Sequence, residues 1–588
     1  MEADPSDLAG VPQSFIDSMQ SVEPTHDAMH TQGSIGGIES PNFCCPCGGF
    51  KGWKQIRLGG KRMSKSSSDL RFLGGNIGQG WGWETPNVVR SNPEMLENPE
   101  KKETVEQYPP SQSALERLPP EILDYIISLL GIDLPPNGYT PRNIDLMSTL
   151  LTSRTLHAAT IATLYSRIII PHSQIFSKFL EHLYRYPSLG TVVKRLDFSH
   201  FTSVGLGRTR QMNLEIQNVT AATLLKCLDL TTHLREFLVQ EHIEDDLDES
   251  IIQKLFCDLP TLQAIDFCAC SSNTFQQAFS SVIKLDNQTL PSPITIRRIS
   301  LHECSSLSST MLETFLPRLA YVTHLDLYHT RVTDRALVSI PERARLTHLN
   351  LGKCTHLSGE GVVEFLTTHP AVKDSLLYLN LLFDISRYRL LSSEDVEMLL
   401  PRLPSTLRSL NLNGARVTSN HIPLLLPLTK HLEELGVGYS ELSMDDITAL
   451  FVPAPPAKGE DISEEELNWE PSALRYLDLT GVASITIGSL FTHNSVLLSS
   501  MTEPLEVLEL SERVIKGLRE RAATSKQLGW VVRELGRRAW YVREFSKSGP
   551  PDNGRRAWKM GALWWGMRKI PVAWGEVGGL YGHYMFKR

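Results

Sequence analysis

No apolar run in the 588-residue chain approaches the ~18 residues that cross a bilayer as a helix. The first thirty residues carry six acidic side chains and no Lys or Arg, the reverse of a secretory signal or transit peptide, so the cytosol or nucleus is the expected compartment. Cysteine is sparse and odd in number, nine in all, which speaks against a disulfide scaffold and for a reducing environment. No residue class dominates: hydrophobic side chains make up 41% and charged ones 21%, which excludes a wholly disordered or collagen-like chain. What remains is a soluble globular composition, too long for one hydrophobic core, which implies several domains or a repeat array.

Motifs that carry chemistry are equally scarce. Gly78-Gln-Gly80-Trp-Gly82 imitates a glycine-rich phosphate loop, but no strand precedes it and no helix follows. Gly60-Lys61 lacks the glycine five residues earlier that a P-loop needs. Cys44, Cys45 and Cys47 cluster without a second ligand pair, so they do not form a zinc site; reversible acylation beside Lys51, Lys54 and Arg57 is the alternative to a plain flexible segment. No catalytic residue, metal or cofactor is assigned.

Charge is unevenly spread. Residues 113–512 hold thirty-one basic and forty-seven acidic side chains, whereas residues 513–588 hold seventeen and five. An acidic body with a basic tail allows the tail to meet nucleic acid, anionic lipid or the body itself.

Residues 1–112, rich in Gly, Ser and Pro and without hydrophobic periodicity, read as a disordered leader. Order is expected from Leu115. Pro119 and Pro120 suit the first turn of a helix, where amide protons have no partner anyway, and Glu121 favours its dipole. Ile122, Ile126 and Leu130, with Leu123 and Ile127, form an apolar stripe at helical spacing. A proline-rich loop follows from Asp133 to Pro141, then helical stretches through Ile144–Leu151 and from Ser153 to about Ser166.

Beyond this head the chain repeats. An apolar-x-x-apolar-x-apolar pattern starts at Val193, Leu234, Leu262, Ile296, Val322, Leu346, Leu376, Leu407, Leu432, Leu474 and Leu505. The wide gap before Leu474 holds a proline cluster and an acidic run, an insertion over 453–472. One such unit cannot bury its leucines, but a stack of neighbours buries a continuous ribbon of them. The fold class is therefore α/β: a leucine-rich repeat solenoid, a curved parallel sheet with return helices, over 171–512, behind a small all-α head over 113–170. Residues 513–588 read as a helical cap through Leu518, Leu528, Val532 and Leu535, followed by a basic tail; six of the ten tryptophans lie between Trp530 and Trp574.

Alternate side chains along a strand face opposite ways, so positions three, five and seven of each unit line the concave face. Position five reads as a polar, partly anionic ladder from Asp197 to Glu509. Arg298, His302, His324, Asp326, Tyr328, His348 and Tyr378 mark a strip where aromatic and Arg side chains favour a protein target. His324 and His348 fall on neighbouring strands and read as a wet histidine ladder, since no fixed chelating motif orients them.

The head resembles an F-box. Leu118-Pro119-Pro120-Glu121-Ile122-Leu123, followed by Ile126 and Leu130, matches that family's opening, and Ser153-Arg-Thr-Leu156-His and Leu164-Tyr-Ser-Arg-Ile168 look like its closing helices. The long loop after Gly131, and Leu156 where many members carry Trp, are departures. The repeats resemble the cysteine-containing subtype that often accompanies an F-box: Cys270, Cys304 and Cys354 stand eight residues after their units' first apolar position, and Val332-Thr333-Asp334 looks like that subtype's turn into the return helix. The bottom-up reason for Cys there is a small, buried, weakly hydrogen-bonding side chain at a tight bend.

The resemblance implies a substrate receptor of a Skp–cullin–F-box ubiquitin ligase, a non-enzymatic monomer within a larger complex. Leu118, Pro119, Ile122, Leu123 and Ile126 would contact the Skp-type adaptor, and the repeats would hold an unidentified target. The competing class is a leucine-rich repeat scaffold without a ligase role, anchored to membrane or nucleic acid by its basic, Trp-rich tail. A resemblance to activators of the Ran GTPase is poor, because that family places Asn where Cys stands here.

Overall fold

In the computed structural model the described residues are 57–58, 61–62, 113–132, 146, 148–170, 173–199, 201, 219–284, 290–383, 389–453, 470–492, 496–535 and 538–544. The Cys44–Cys47 cluster, Gly60, the Gly78–Gly82 motif, residues 454–469 of the insertion and the tail from residue 545 lie outside them.

The head is built on α1 (Pro120–Ile132) and α2 (Arg154–Ser166). Ser153 opens α2 by accepting a hydrogen bond from the Leu156 amide on its side chain, satisfying one of the donors a helix start leaves orphaned. Leu123, Ile127, Leu146, Ala159 and Leu164 form a core of the head's own.

The strands are β1 (Arg57–Leu58), β2 (Lys61–Arg62), β3 (Arg167–Ile169), β4 (Arg195–Asp197), β5 (Glu236–Gln240), β6 (Ala264–Cys268), β7 (Arg298–Ser300), β8 (His324–Asp326), β9 (His348–Asn350), β10 (Tyr378–Asn380), β11 (Ser409–Asn411), β12 (Glu434–Gly436), β13 (Tyr476–Asp478), β14 (Val507–Glu509), β15 (Trp530–Leu535) and β16 (Arg538–Arg543). The first two pair with each other. From β3 to β14 each strand lies parallel to the next in chain order. All eleven sequence units supply one of these strands, and the central residue of each, from Leu196 and Phe237 to Leu477 and Leu508, is fully buried. At ~2 kcal/mol per buried aliphatic side chain, this ribbon offsets much of the entropy of ordering the chain. The return segments lie on the other side of the sheet. Because a helix is ~10 Å wide and neighbouring strands only ~4.8 Å apart, the strand side is the concave one.

The return helices start alike. Thr220, Ser272, Ser308, Thr333, Ser358, Ser392, Ser443 and Thr486 each cap one by accepting a backbone N–H on the side-chain oxygen.

Two expectations are corrected. The segment read as the end of the head, Leu164–Ile168, divides: α2 stops at Ser166 and Arg167 turns extended at φ −134°, so that β3 starts with no linker and pairs with β4. The expected helical run after Leu510 also divides. Helices Glu512–Glu520 and Ala522–Gln527 end at Gly529, whose φ is +75°, and the chain then forms the β15–β16 hairpin, with β16 antiparallel to β14. Aromatic and β-branched residues (Trp530, Val531, Val532, Trp540, Tyr541, Val542) favour strand, and an uncovered sheet edge favours pairing.

Candidate functional site

On the head, α1 has two apolar faces rather than one stripe. Leu123 is 1% exposed and Ile127 3%, both filling the head core. Leu123 is therefore corrected from surface contact to core residue: at 100° per residue it points away from its neighbour Ile122. Ile122 is 48% exposed and Tyr125 64%, with Pro119 and Pro120 exposed beside them and Leu118 and Ile126 half-buried. Leu115, just upstream, is also exposed. Tyr125 belongs to this face, and periodicity counted on aliphatic residues alone misses it.

Tyr165, at the end of α2, packs against both the head core and the solenoid core. Its hydroxyl lies 3.1 Å from His182 Nδ1, and burial pushes its pKa up to about 12.

On the concave face, the strand register brings Arg298, His324, His348 and Tyr378 into one row. The rings of His324 and His348 stack with centroids 3.8 Å apart, and Tyr378 continues the stack 6.1 Å from His348. Each histidine lies with Nδ1 2.9 or 2.8 Å from the hydroxyl of the threonine before it, Thr323 or Thr347. The expected wet ladder holds for His324 only in part and not for His348, which is 5% exposed; burial, with His324 and Arg298 nearby, drives its pKa down to about 3. Among the described residues no group of three His, Cys, Asp or Glu side chains is placed to hold a metal.

A second stack lies at the strand ends. His302 and Tyr328 are parallel at 4.3 Å, and the Lys353 ammonium sits 5.6 Å from the Tyr328 centroid. His302 Nδ1 is 3.2 Å from Asp326 Oδ2, while Asp326 Oδ1 accepts the Tyr328 amide at 2.9 Å.

That last bond repeats. Asp197, Asn350, Asn380, Asn411 and Asp478 likewise accept, on Oδ1, the amide two residues on. At these six strands the position-five ladder is thus a row of Asx turns that ends the strand, not a row offered to a ligand. Asp326, His348 and Tyr378 are buried; Arg298, His302, His324 and Tyr328 are only partly buried, with side-chain exposure of 26% at Arg298 and 18% at His302.

The cysteine slot is structural too. Cys304 Sγ donates to the Phe267 carbonyl at 3.0 Å and Cys354 Sγ to the Leu327 carbonyl at 2.9 Å, each reaching back to the preceding unit. Burial pushes the Cys354 thiol up to about 12, the opposite of an activated nucleophile.

Sequence reasoning missed the N-terminal end of the concave face. Arg167 on β3, Arg195 on β4 and Glu236 on β5 stand in register. Their signal was present: Tyr165-x-x-Ile168-x-Ile170 fits the repeat pattern, but it follows directly on a helical run and reads as its continuation.

A parallel sheet extended by one strand per leucine-rich unit, with a separately cored helical head, defines a leucine-rich repeat protein. No family model matches the chain. A curated F-box protein of Saccharomyces cerevisiae is 33% identical over 285 residues, which take in 45% of this chain and 35% of that relative's length. By sequence the chain is thus related to an F-box protein, and by fold it is a leucine-rich repeat protein. Among solved structures, the yeast Rad7 and Elc1 complex matches at TM-score 0.31 and 14% identity, covering 54% of this chain and 78% of the other. The leucine-rich repeat-containing protein LegL7 of Legionella pneumophila matches at 0.27 and 18%, covering 43% and 76%. The strand order itself, one parallel strand per unit, establishes the solenoid.

Proposed function

We propose that the chain is the substrate-recognition subunit of a Skp–cullin–F-box type ubiquitin ligase, a non-catalytic receptor of the cytosol or nucleus. The head binds a Skp-type adaptor, the adaptor links it to a cullin, and the concave face holds a target protein within reach of ubiquitin transfer. One observation carries this reading: Pro119, Ile122 and Tyr125 stand uncovered on a helix whose other face already fills the head core. A head that merely capped the first repeat needs one apolar face. A second, clustered within one helical turn and its approach, marks a docking surface. The F-box name of the yeast relative supports the same assignment.

On the concave face the contacts proposed for the target are Arg298, His302, His324 and Tyr328, which keep accessible surface; Asp326, His348 and Tyr378 hold that face in shape. The adaptor step is tested by co-purifying a Skp-type adaptor with the full chain. Wild type retains it, and Ile122→Asp releases it while the melting curve stays unchanged, since Ile122 lies outside the core. Retention by Ile122→Asp dismisses the assignment.

A further inference from the structure

Across the first five strands of the solenoid, position three reads Arg167, Arg195, Glu236, Ala264 and Arg298, aligned in register on the concave face. Arg195 is anchored twice, by Asp197 at 2.8 Å and by one oxygen of Glu236 at 3.1 Å. Arg298 reaches back across Ala264, the small residue of the row, to pair with the other oxygen of Glu236. One carboxylate is therefore shared by two guanidiniums, which fixes both side chains before any ligand arrives. Asp197 and Asp266, at position five of the same face, are buried beside this row; Asp197 and Glu236 are taken up by Arg195 and Arg298, which leaves Arg167, among the described residues, as the guanidinium of the row without a carboxylate.

Arg167 stands apart. It is exposed, and among the described residues no carboxylate pairs with it. Partial burial, and after it the like charges of Arg195 and Arg298, hold its guanidinium below its ordinary value, with Glu236 only partly compensating. An anion arriving there relieves that repulsion.

We propose that this end of the concave face is an anion subsite, which takes an acidic group carried by a polypeptide target on the Arg167 guanidinium, with Arg195 and Arg298 held behind it. The planar fork of an arginine matches the two oxygens of a carboxylate or of a phosphate monoester, so either source of acid fits. The solenoid body is otherwise strongly acidic, which makes an unpaired guanidinium here a selective feature and repels acidic segments elsewhere. The subsite also lies beside the head, because β3 follows α2 without a linker. A structural duty for Arg167 exists as well: it is the C-cap residue of α2, where a cation suits the helix dipole. Lysine serves that duty equally, and it does not account for two further guanidiniums aligned in register.

This inference deepens the receptor reading by naming the class of target segment, and the test separates the two. Labelled twelve-residue peptides carrying a run of glutamates, phosphoserines or glutamines are titrated by fluorescence anisotropy into the full chain without adaptor. The acidic peptides bind, with affinity falling as salt rises, and the glutamine peptide does not. Arg167→Gln weakens acidic-peptide binding about tenfold or more, the loss expected of a charge-assisted pair. Arg167→Lys retains part of it and melts like wild type, while Arg167→Gln loses only the slight stabilisation of a cation at the end of α2. Tighter binding of the phosphoserine peptide identifies a phosphate as the source; equal binding identifies carboxylates, and both support the subsite. Equal affinity in wild type and Arg167→Gln, or acidic peptides binding no better than the glutamine peptide, overturns it. Adaptor co-purification is scored separately: an intact adaptor complex with no acidic-peptide binding removes the subsite alone, and the reverse removes the ligase reading alone.

Discussion

At seven bends of the solenoid the eighth residue of the unit takes a left-handed backbone, with φ between 54° and 86°, yet only Gly414 and Gly481 are glycine there. Ala269, Glu303, His329, Lys353 and Tyr439 accept the strain because the bend places their amides on the position-seven carbonyl of the next unit. Gly481 has a further reason: a Cβ there would lie 2.2 Å from the Tyr439 ring. Gly481→Ala is therefore expected to cost about 1–2 kcal/mol or more, read as a lowered melting midpoint, because left-handed strain and the ring clash add. His348 gives a prediction of known sign. Its folded value near 3 lies below the 6.5 of the unfolded side chain, so between those values the unfolded chain binds the extra proton. Stability from this group is complete above pH 6.5 and falls as pH drops toward 3. In melting-temperature profiles, His348→Gln should flatten that acid limb; an unchanged slope would contradict the assignment.

Elements differ in how far the sequence discloses them. Strands β4 to β14 are legible because a six-residue pattern with three buried positions recurs, and a slip of one residue would turn every leucine outward. Strand β3 is not, because Tyr165, Ile168 and Ile170 satisfy the repeat at a point where the preceding residues still satisfy a helix. The β15–β16 hairpin is hidden for another reason: Leu518, Leu528, Val532 and Leu535 are compatible with helical spacing, and only the open edge of β14 decides for a strand. Local pattern cannot see an edge. The hairpin holds on through Trp530, fully buried, whose indole N–H donates to the Leu498 carbonyl at 2.9 Å beneath the Arg543 guanidinium. Trp530→Ala should cost about 3–5 kcal/mol and, since each unit touches only its neighbours, should raise hydrogen exchange in β13 and β14 but not in β4 to β6. Uniform deprotection along the array would contradict that local coupling.

On the scale of the whole molecule, the site is less legible than the fold. Strand alternation correctly places residues on the concave face, but facing outward does not make a side chain available. Asp326 is committed to its Asx turn, and His348 and Tyr378 cover one another. Which outward residues remain free depends on cross-strand partners that a single chain segment does not display. The head poses the same question in reverse: Leu123 and Ile122 are adjacent and both aliphatic, and only the core around Leu146 and Leu164 separates the buried one from the accessible one. With α2 running straight into β3, and Tyr165 packed into both cores, head and first repeat form one continuous unit. On the proposed receptor reading, a target on the concave face would thereby be held at a fixed place relative to an adaptor on α1. The measurement that bears most directly on this account is the affinity of the full chain for a Skp-type adaptor by titration calorimetry, with Ile122→Asp and Tyr125→Ala against Trp530→Ala at the far end. The account predicts that both head variants lose about tenfold or more in affinity without a change in head stability, while Trp530→Ala binds like wild type. Equal affinity across all of them, or no adaptor binding by wild type, would contradict it.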